Sequence, residues 1–319
     1  MKFSKRKLAV VFSAALGLGL SGQASADVYG LSYLNVDNLG VTFNATGGSA
    51  GLYTFSANQD AILNGVDDNT SGAASCAGSF GVFTSCSIAP PTLSGKVQNA
   101  PPATAGIRGE GDYTVFGTAG DYSNAEAEVI SAALTGDAFT HVTSISESNL
   151  DLGASAQSNT NAGSNTKLAL TFTGNSGTLS VAFDADINVH TEVTEGDLGI
   201  AQAASGATLL LQKDGVLIAS WAPTGTNTVT NCALGLVCTA TETALSLNNT
   251  SSSDGVANIV AGSGSYKIDI SGLSSGNYTL AFNTTTSTDL FRVVPVPSSL
   301  LLMGTGLLLG ARATRRNKK

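Results

Sequence analysis

Basic residues are scarce between the two ends of this chain. Fifteen lysines and arginines occur in 319 residues, but four fall in the first seven positions and five in the last eight. Residues 27–292 therefore hold six basic side chains against 23 acidic ones, a net charge of −17. A field of that sign argues against nucleic acid and anionic lipid as partners of this region. Histidine is nearly absent, so only His141 and His190 could serve as neutral-pH bases. There is a single tryptophan, and aromatics make up 6% of the chain, so a thick core is expected to rest mainly on Val, Leu, Ile and Ala. No C-x-x-C pair and no histidine beside a cysteine appears, which removes the usual zinc signature.

What is present begins with a three-part front. Lys2, Lys5, Arg6 and Lys7 precede an apolar run from Leu8 to Leu20, and Ala24-Ser25-Ala26 supplies small residues for signal peptidase. Cleavage after Ala26 would start the mature chain at Asp27. A helix over that run would reach about 20 Å, short for a permanent span. Gly17, Gly19 and Gly22 spell G-x-G-x-x-G, but inside a segment that is removed the pattern carries no cofactor meaning. No cofactor is expected from the sequence.

The back is also tripartite. Val293 to Ala311 contains no charge, and a basic cluster of Arg312, Arg315, Arg316, Lys318 and Lys319 follows. That apolar stretch would cover about 28 Å as a helix, close to the hydrocarbon thickness. With an exported front, the basic end stays cytoplasmic and the body lies outside. Pro295-Val296-Pro297, the Leu/Gly-rich span Leu300 to Leu309, and the Arg/Lys end resemble the PEP-CTERM sorting signal. Val296 stands where that family usually carries Glu. The resemblance implies export, processing by an exosortase-type enzyme, and association with exopolysaccharide. An ordinary C-terminal membrane anchor is the plain alternative.

Three segments follow: a signal peptide over 1–26, a β-rich extracellular body over 27–292 with a sub-boundary suggested near 153–165, and the sorting segment over 293–319 with its transmembrane helix. The body is rich in Gly, Ser, Thr and Asn with regularly spaced Val, Leu, Ile and Phe, the makeup of a secreted β protein with polar turns. Its cysteines form two local pairs, Cys76 with Cys86 and Cys232 with Cys238, expected as disulfides after export.

Period-2 alternation marks the strands. Leu168-x-Leu170-x-Phe172 turns through Gly174–Gly177 into Leu179-x-Val181-x-Phe183 and reads as a hairpin. A second is expected at Leu209 to Trp221 through Lys213-Asp214-Gly215, and a third at Tyr266 to Phe282 through Gly272 to Asn277. Val28 to Leu34, Leu39 to Phe43, Leu52 to Phe55 and Asp112 to Phe116 read as separate strands, and Ala125 to Leu134 leans the same way. Gly153 to Asn165 reads as a polar loop. The expected fold is all-β, an antiparallel β-sandwich or jelly-roll-like body.

Catalytic signals are weak. Gly47-Gly48-Ser49-Ala50-Gly51 matches the nucleophile elbow G-x-S-x-G, but Leu52 to Phe55 continues as strand where an elbow needs a helix. Asp184, Asp186, Asn188 and His190 alternate along one strand face, fitting a solvent-facing stripe better than a calcium site. Asp67-Asp68-Asn69 lacks EF-hand spacing and reads as a turn. The leading expectation is a non-enzymatic cell-surface or extracellular-matrix protein. Signal peptidase and an exosortase are its processing partners, and exopolysaccharide is its candidate matrix partner. A carbohydrate-binding sandwich with Trp221, Tyr113, Tyr122 or Tyr266 as an aromatic platform is the alternative, and a secreted hydrolase the least favoured.

Overall fold

The computed structural model describes residues 27–44, 49–78, 92–98, 113–117, 120–131, 140–150, 157–194, 199–255 and 257–293. The signal segment and its cleavage site up to Ala26, the sorting motif, the apolar span and the basic tail lie outside them, as does Cys86. Among the described residues no helix is long and apolar enough to cross a membrane.

Every regular element among the described residues is a strand. In chain order they are β1 (Val28–Asn44), β2 (Ser49–Leu63), β3 (Val66–Gly78), β4 (Thr92–Gln98), β5 (Tyr122–Ser131), β6 (Thr140–Leu150), β7 (Gln157–Gly174) and β8 (Gly177–Val193). There follow β9 (Gly199–Lys213), β10 (Val216–Trp221), β11 (Asn231–Cys232), β12 (Val237–Glu242), β13 (Asn249–Ser253), β14 (Asn258–Leu273) and β15 (Gly276–Val293). All pairings are antiparallel. The first sheet runs β12-β14-β8-β1-β6-β5-β4, and the second β11-β10-β9-β15-β7-β2-β3 with β13 alongside β9. The two sheets face each other as a β-sandwich. β1, β7, β8 and β15 have 17 or 18 residues each, which makes the sandwich about 55 Å long at the usual strand rise.

The alternation that looks like hairpins in the sequence is mostly something else. β7 lies in the second sheet and β8 in the first, so Asn175-Ser176 carries the chain across the sandwich instead of folding it back in one sheet. β14 and β15 are joined the same way over Ser274-Ser275, and β1 and β2 also belong to opposite sheets. β14, β8 and β1 are consecutive in one sheet while β15, β7 and β2 are consecutive in the other, so the three arches stack. The physical reason lies in the turns. Two-residue hairpins need positive φ at the first central position or at both. Asn64-Gly65 has φ of 51° and 80° and closes the β2–β3 hairpin; Asp214-Gly215 has 50° and 82° and closes β9–β10. Asn175, Ser176, Ser274 and Ser275 do not adopt positive φ.

Other expectations also change. Val28 to Leu34 and Leu39 to Phe43 are one strand with a bulge, where Asn38 at φ 56° shifts the register against both neighbours. Residues 113–117 are irregular, not a strand. Asp67-Asp68-Asn69 lies inside β3, opposite Ile62, Ala61 and Asp60. These exposed carboxylates on an edge strand discourage pairing with another chain. The polar loop read over Gly153–Asn165 is strand from Gln157 onward, and β1 pairs with strands on both sides of it, β6 and β8.

The interior is layered along the strands. Near the arches Leu34, Val36, Leu168, Leu170, Val181, Ile268 and Leu280 pack with Tyr53, Phe55, Phe172, Phe183, Trp221, Tyr266, Tyr278 and Phe282. Aromatics thus carry more of this core than their scarcity suggested. At the opposite end Val28, Ala61, Leu63, Leu150, Val193, Ala201 and Leu290 form a smaller cluster. Between the two lies a layer of buried hydroxyls. Thr286 Oγ1 bonds Ser146 Oγ at 2.9 Å across the sandwich and Ser164 Oγ at 2.7 Å within its own sheet. Thr284 Oγ1 likewise meets Ser144 and Thr166, and Ser148 meets Thr288 and Thr160. A hydroxyl can both donate and accept, so these short side chains serve as one another's partners. Thr286→Val, nearly isosteric, is expected to cost about 1–3 kcal/mol by leaving hydroxyls of Ser146 and Ser164 with fewer partners. Urea unfolding measures it, and an unchanged midpoint would show that the hydroxyl layer is not stabilising.

Candidate functional site

The outer face of the first sheet gathers most of the titratable groups singled out in the sequence. Along β8, Asp184, Asp186, Asn188 and His190 point outward while Phe183, Ala185, Ile187 and Val189 point inward. Asp184 and Asp186 of this stripe are exposed, while Asn188 and His190 are half-buried, with Asn188 Oδ1 and His190 Nε2 shut off from solvent. Neighbours tie much of the stripe up. Asp184 accepts from Ser265 Oγ at 2.6 Å and from Asn38 Nδ2 at 2.9 Å, and these bonds hold its carboxyl below the usual carboxylate range. Asn38 reaches it because the β1 bulge turns that residue outward. A hollow of about 360 Å3 beside Asp184 is lined also by Ser265, Lys267 and Thr241. Lys267 pairs with Asp269 at 2.8 Å.

A second network runs between β1 and β6. Thr143 Oγ1 donates to Asn35 Oδ1, Asn35 Nδ2 donates to Asp37 Oδ2, and His141 Nδ1 lies 2.6 Å from Asp37 Oδ1. The Asp–His pair has the orientation a catalytic base would need. His190 sits elsewhere, opposite Leu31 and edge-on to the Tyr29 ring at 5.2 Å, with Glu192 at ion-pair distance. Asp37 lies six positions beyond Leu31 on β1, about 20 Å, so the two histidines do not converge. Ser49 opens β2 and pairs with Thr173 of neighbouring β7 within the second sheet, in a strand rather than an elbow. Groups of three or more His, Cys, Asp or Glu able to hold a metal are absent among the described residues.

The aromatic platform is overturned by burial. Trp221 is 1% exposed, Tyr266 2% and Tyr122 0%, so none can stack on a surface ligand. The sequence misled at Trp221 because a bulge between Leu217 and Ala219 changes which residues of β10 face inward. Tyr113 packs against Tyr29, Leu31 and Ile145, and burial followed by the Glu128 and Glu126 charges raises its phenol well above the ordinary tyrosine range. Buried Glu147 fastens this segment. It accepts from Tyr29 Oη at 2.8 Å, Phe116 N at 2.9 Å and Gly117 N at 3.0 Å.

Glu242, which the sequence reading passed over, organises the opposite edge of the first sheet. Its Oε1 accepts from Trp221 Nε1 at 2.6 Å, and Oε2 from the backbone N–H groups of Thr224, Gly225 and Thr226. Gly225, at φ 74°, lies so close under Leu245 backbone that a side chain would not fit. Burial and then the Glu242 charge push Tyr266 up to about 12. Beyond this loop the expected Cys232–Cys238 disulfide is present, with Cα atoms 6.1 Å apart. It closes a turn with Gly235 at φ 90° and leaves Leu234 fully in solvent.

The larger hollow lies on the outer face of the second sheet, about 470 Å3, lined by Asn161, Gln202, Thr250, Ser252, Ser287 and Asp289. Four strands distant in sequence build it, which is why no motif announced it.

No protein-family model matches the chain, and no curated protein does. Among solved structures, the VP2 subviral particle of infectious bursal disease virus aligns at 11% identity over 91% of this chain and 88% of that one, with a TM-score of 0.11. The structure of the Gx strain of that virus gives 11% identity, the same coverage and a TM-score of 0.10. Similarities of that size carry no argument about fold or function.

Proposed function

We propose that this chain is an exported, non-enzymatic surface or matrix protein, sorted through its C-terminal tail. The observation that carries the reading is the pairing of a three-part export front with the Pro295-Val296-Pro297, apolar and basic tail. The body's charge of −17 suits a hydrated, extracellular polymer environment better than a nucleic-acid or anionic-lipid contact. The geometry is compatible. Asp27 and Val293 lie at the same pole of the sandwich, where Thr194 N donates to Asp27 O at 3.1 Å and Gly199 pairs with Arg292 across β9 and β15, with no room for a side chain there beside Val28. The arches and the Cys232–Cys238 turn lie at the other pole. A tail held at a membrane would thus leave the disulfide end outermost. Cys76 and Cys86 belong to the proposal as a second disulfide.

Intact mass of the protein from membrane and culture fractions of its native host tests this reading. The expected species starts at Asp27 and ends near Pro295–Pro297. A membrane species that retains Lys319 would overturn sorting and leave a plain anchor.

A further inference from the structure

Two adjacent cross-strand rows shape the hollow on the second sheet. One row is Asn161–Asp289–Gln202–Ser252, contributed by β7, β15, β9 and β13. The next is Gly163–Ser287–Ala204–Thr250 on the same strands. Gly163 and Ala204 are too short to fill their places, so the second row is a floor and the first a wall. The result is a groove running across the strands, about 15 Å long at the usual strand spacing.

The lining has unspent hydrogen-bonding capacity. None of the side chains of Asn161, Gln202, Thr250, Ser252, Ser287 and Asp289 bonds another described residue, and all but half-buried Asn161 are exposed. The first sheet behaves differently, since its outer Asn35, Asp37, Asn38, Asp184 and Ser265 are engaged with one another. In the groove a carboxylate stands between two carboxamides at cross-strand spacing, about 5 Å apart. The carboxylate accepts from two neighbouring hydroxyls, and each amide donates and accepts. That set matches a polyhydroxylated ligand with hydroxyls on adjacent carbons.

Charge narrows the class. The lining holds one carboxylate and no cation, so an anionic polymer is repelled at Asp289. A calcium ion normally takes six to eight oxygens, with carboxylates prominent among them, and one carboxylate is a poor basis for that shell. We propose that this groove binds a neutral, unbranched saccharide segment running across β13, β9, β15 and β7. The choice of polysaccharide as ligand rests on the surface-or-matrix reading, but the binding itself does not depend on how the tail is processed. With only Ala203 and Ala204 as apolar lining and the exposed Phe291 ring one row beyond Asp289 on the same face, the contact is weak and selective chiefly through hydrogen bonds.

Native affinity electrophoresis of the full-length chain in detergent, through gels containing dextran, galactomannan, hydroxyethyl cellulose or the acidic polymer alginate, tests the site. The wild-type chain is expected to be retarded by at least one neutral polymer and not by alginate. Gln202→Ala with Asp289→Ala is expected to weaken that retardation at least tenfold, with an unchanged urea midpoint because both side chains are exposed. Asn283→Ala, on the same face farther along β15, is expected to behave as wild type. Absence of retardation in every neutral gel, retardation that survives the double substitution, or a preference for alginate would each overturn the proposal. None of these results bears on the masses expected from tail processing, so the two readings fail separately.

Discussion

Glu242→Ala is expected to lower the unfolding free energy by about 3 kcal/mol. The estimate follows from what the carboxylate serves. It is buried, and its two oxygens take one indole N–H and three successive backbone N–H groups. Hydrogen bonds to a charged acceptor contribute about 1.5–3 kcal/mol each where the donor is shut away from water, and less where water can replace the acceptor. Trp221 Nε1 is the donor with no access to solvent, since the residue is 1% exposed. Thr224 and Thr226 are exposed and their N–H groups can be hydrated, so their loss counts for little. Glu242→Gln retains an acceptor for the indole or for the loop but not for both, and is expected to cost about half as much. Urea unfolding read by the fluorescence of Trp221, the sole tryptophan, reports both stability and this contact. A shifted emission with an unmoved midpoint would mean that the loop over 224–226 moves locally without supporting the sandwich.

Periodicity made the strands legible, but it could not say which strands lie side by side. Leu168 to Phe172 and Leu179 to Phe183 alternate equally well in a hairpin, where they pair, and in an arch, where their apolar faces meet across the core. The deciding information sits in two residues of the turn. Asn64-Gly65 and Asp214-Gly215 supply the positive φ that a hairpin demands; Asn175-Ser176 and Ser274-Ser275 do not. Strand existence failed where the interior is polar. Thr160, Ser164 and Thr166 face inward with hydroxyl partners from neighbouring strands, so the segment shows no apolar alternation and resembles a loop. Bulges account for two further misreadings, the division of β1 at Asn38 and the apparent availability of Trp221. The groove on the second sheet was hidden for a different reason. Asn161, Gln202, Ser252 and Asp289 meet only through strand register, and each alone is an ordinary polar residue on an alternating strand. Cys232 and Cys238 were readable because a short loop leaves so few geometries.

Phe183→Ala tests the arch arrangement through its energetic consequence, and is expected to cost about 3–5 kcal/mol. The ring is 3% exposed and stacks on Tyr266 of the adjacent strand at 5.4 Å. It also meets Trp221 at 5.9 Å and the edge of Phe282 at 5.1 Å, both from the opposite sheet. Removing it empties the place where the two sheets hold each other through aromatic contact, and the neighbouring rings cannot collapse far without breaking the Trp221–Glu242 bond. Phe183→Leu should recover more than half the loss, because most of the buried area returns. A double-mutant cycle between Phe183 and Phe282 isolates the contact across the core. A coupling of about 0.5–1.5 kcal/mol is expected for such an edge-on pair. Were β7 and β8 a hairpin, Gly174 to Gly177 would pair Phe183 with Leu168, and Phe282, which pairs with Leu168 from the other side of β7, would lie about 10 Å away in the same sheet instead of across the core. A coupling near zero, with Phe183→Ala costing under about 1 kcal/mol, would therefore reject the stacked arches and the face-to-face core they create.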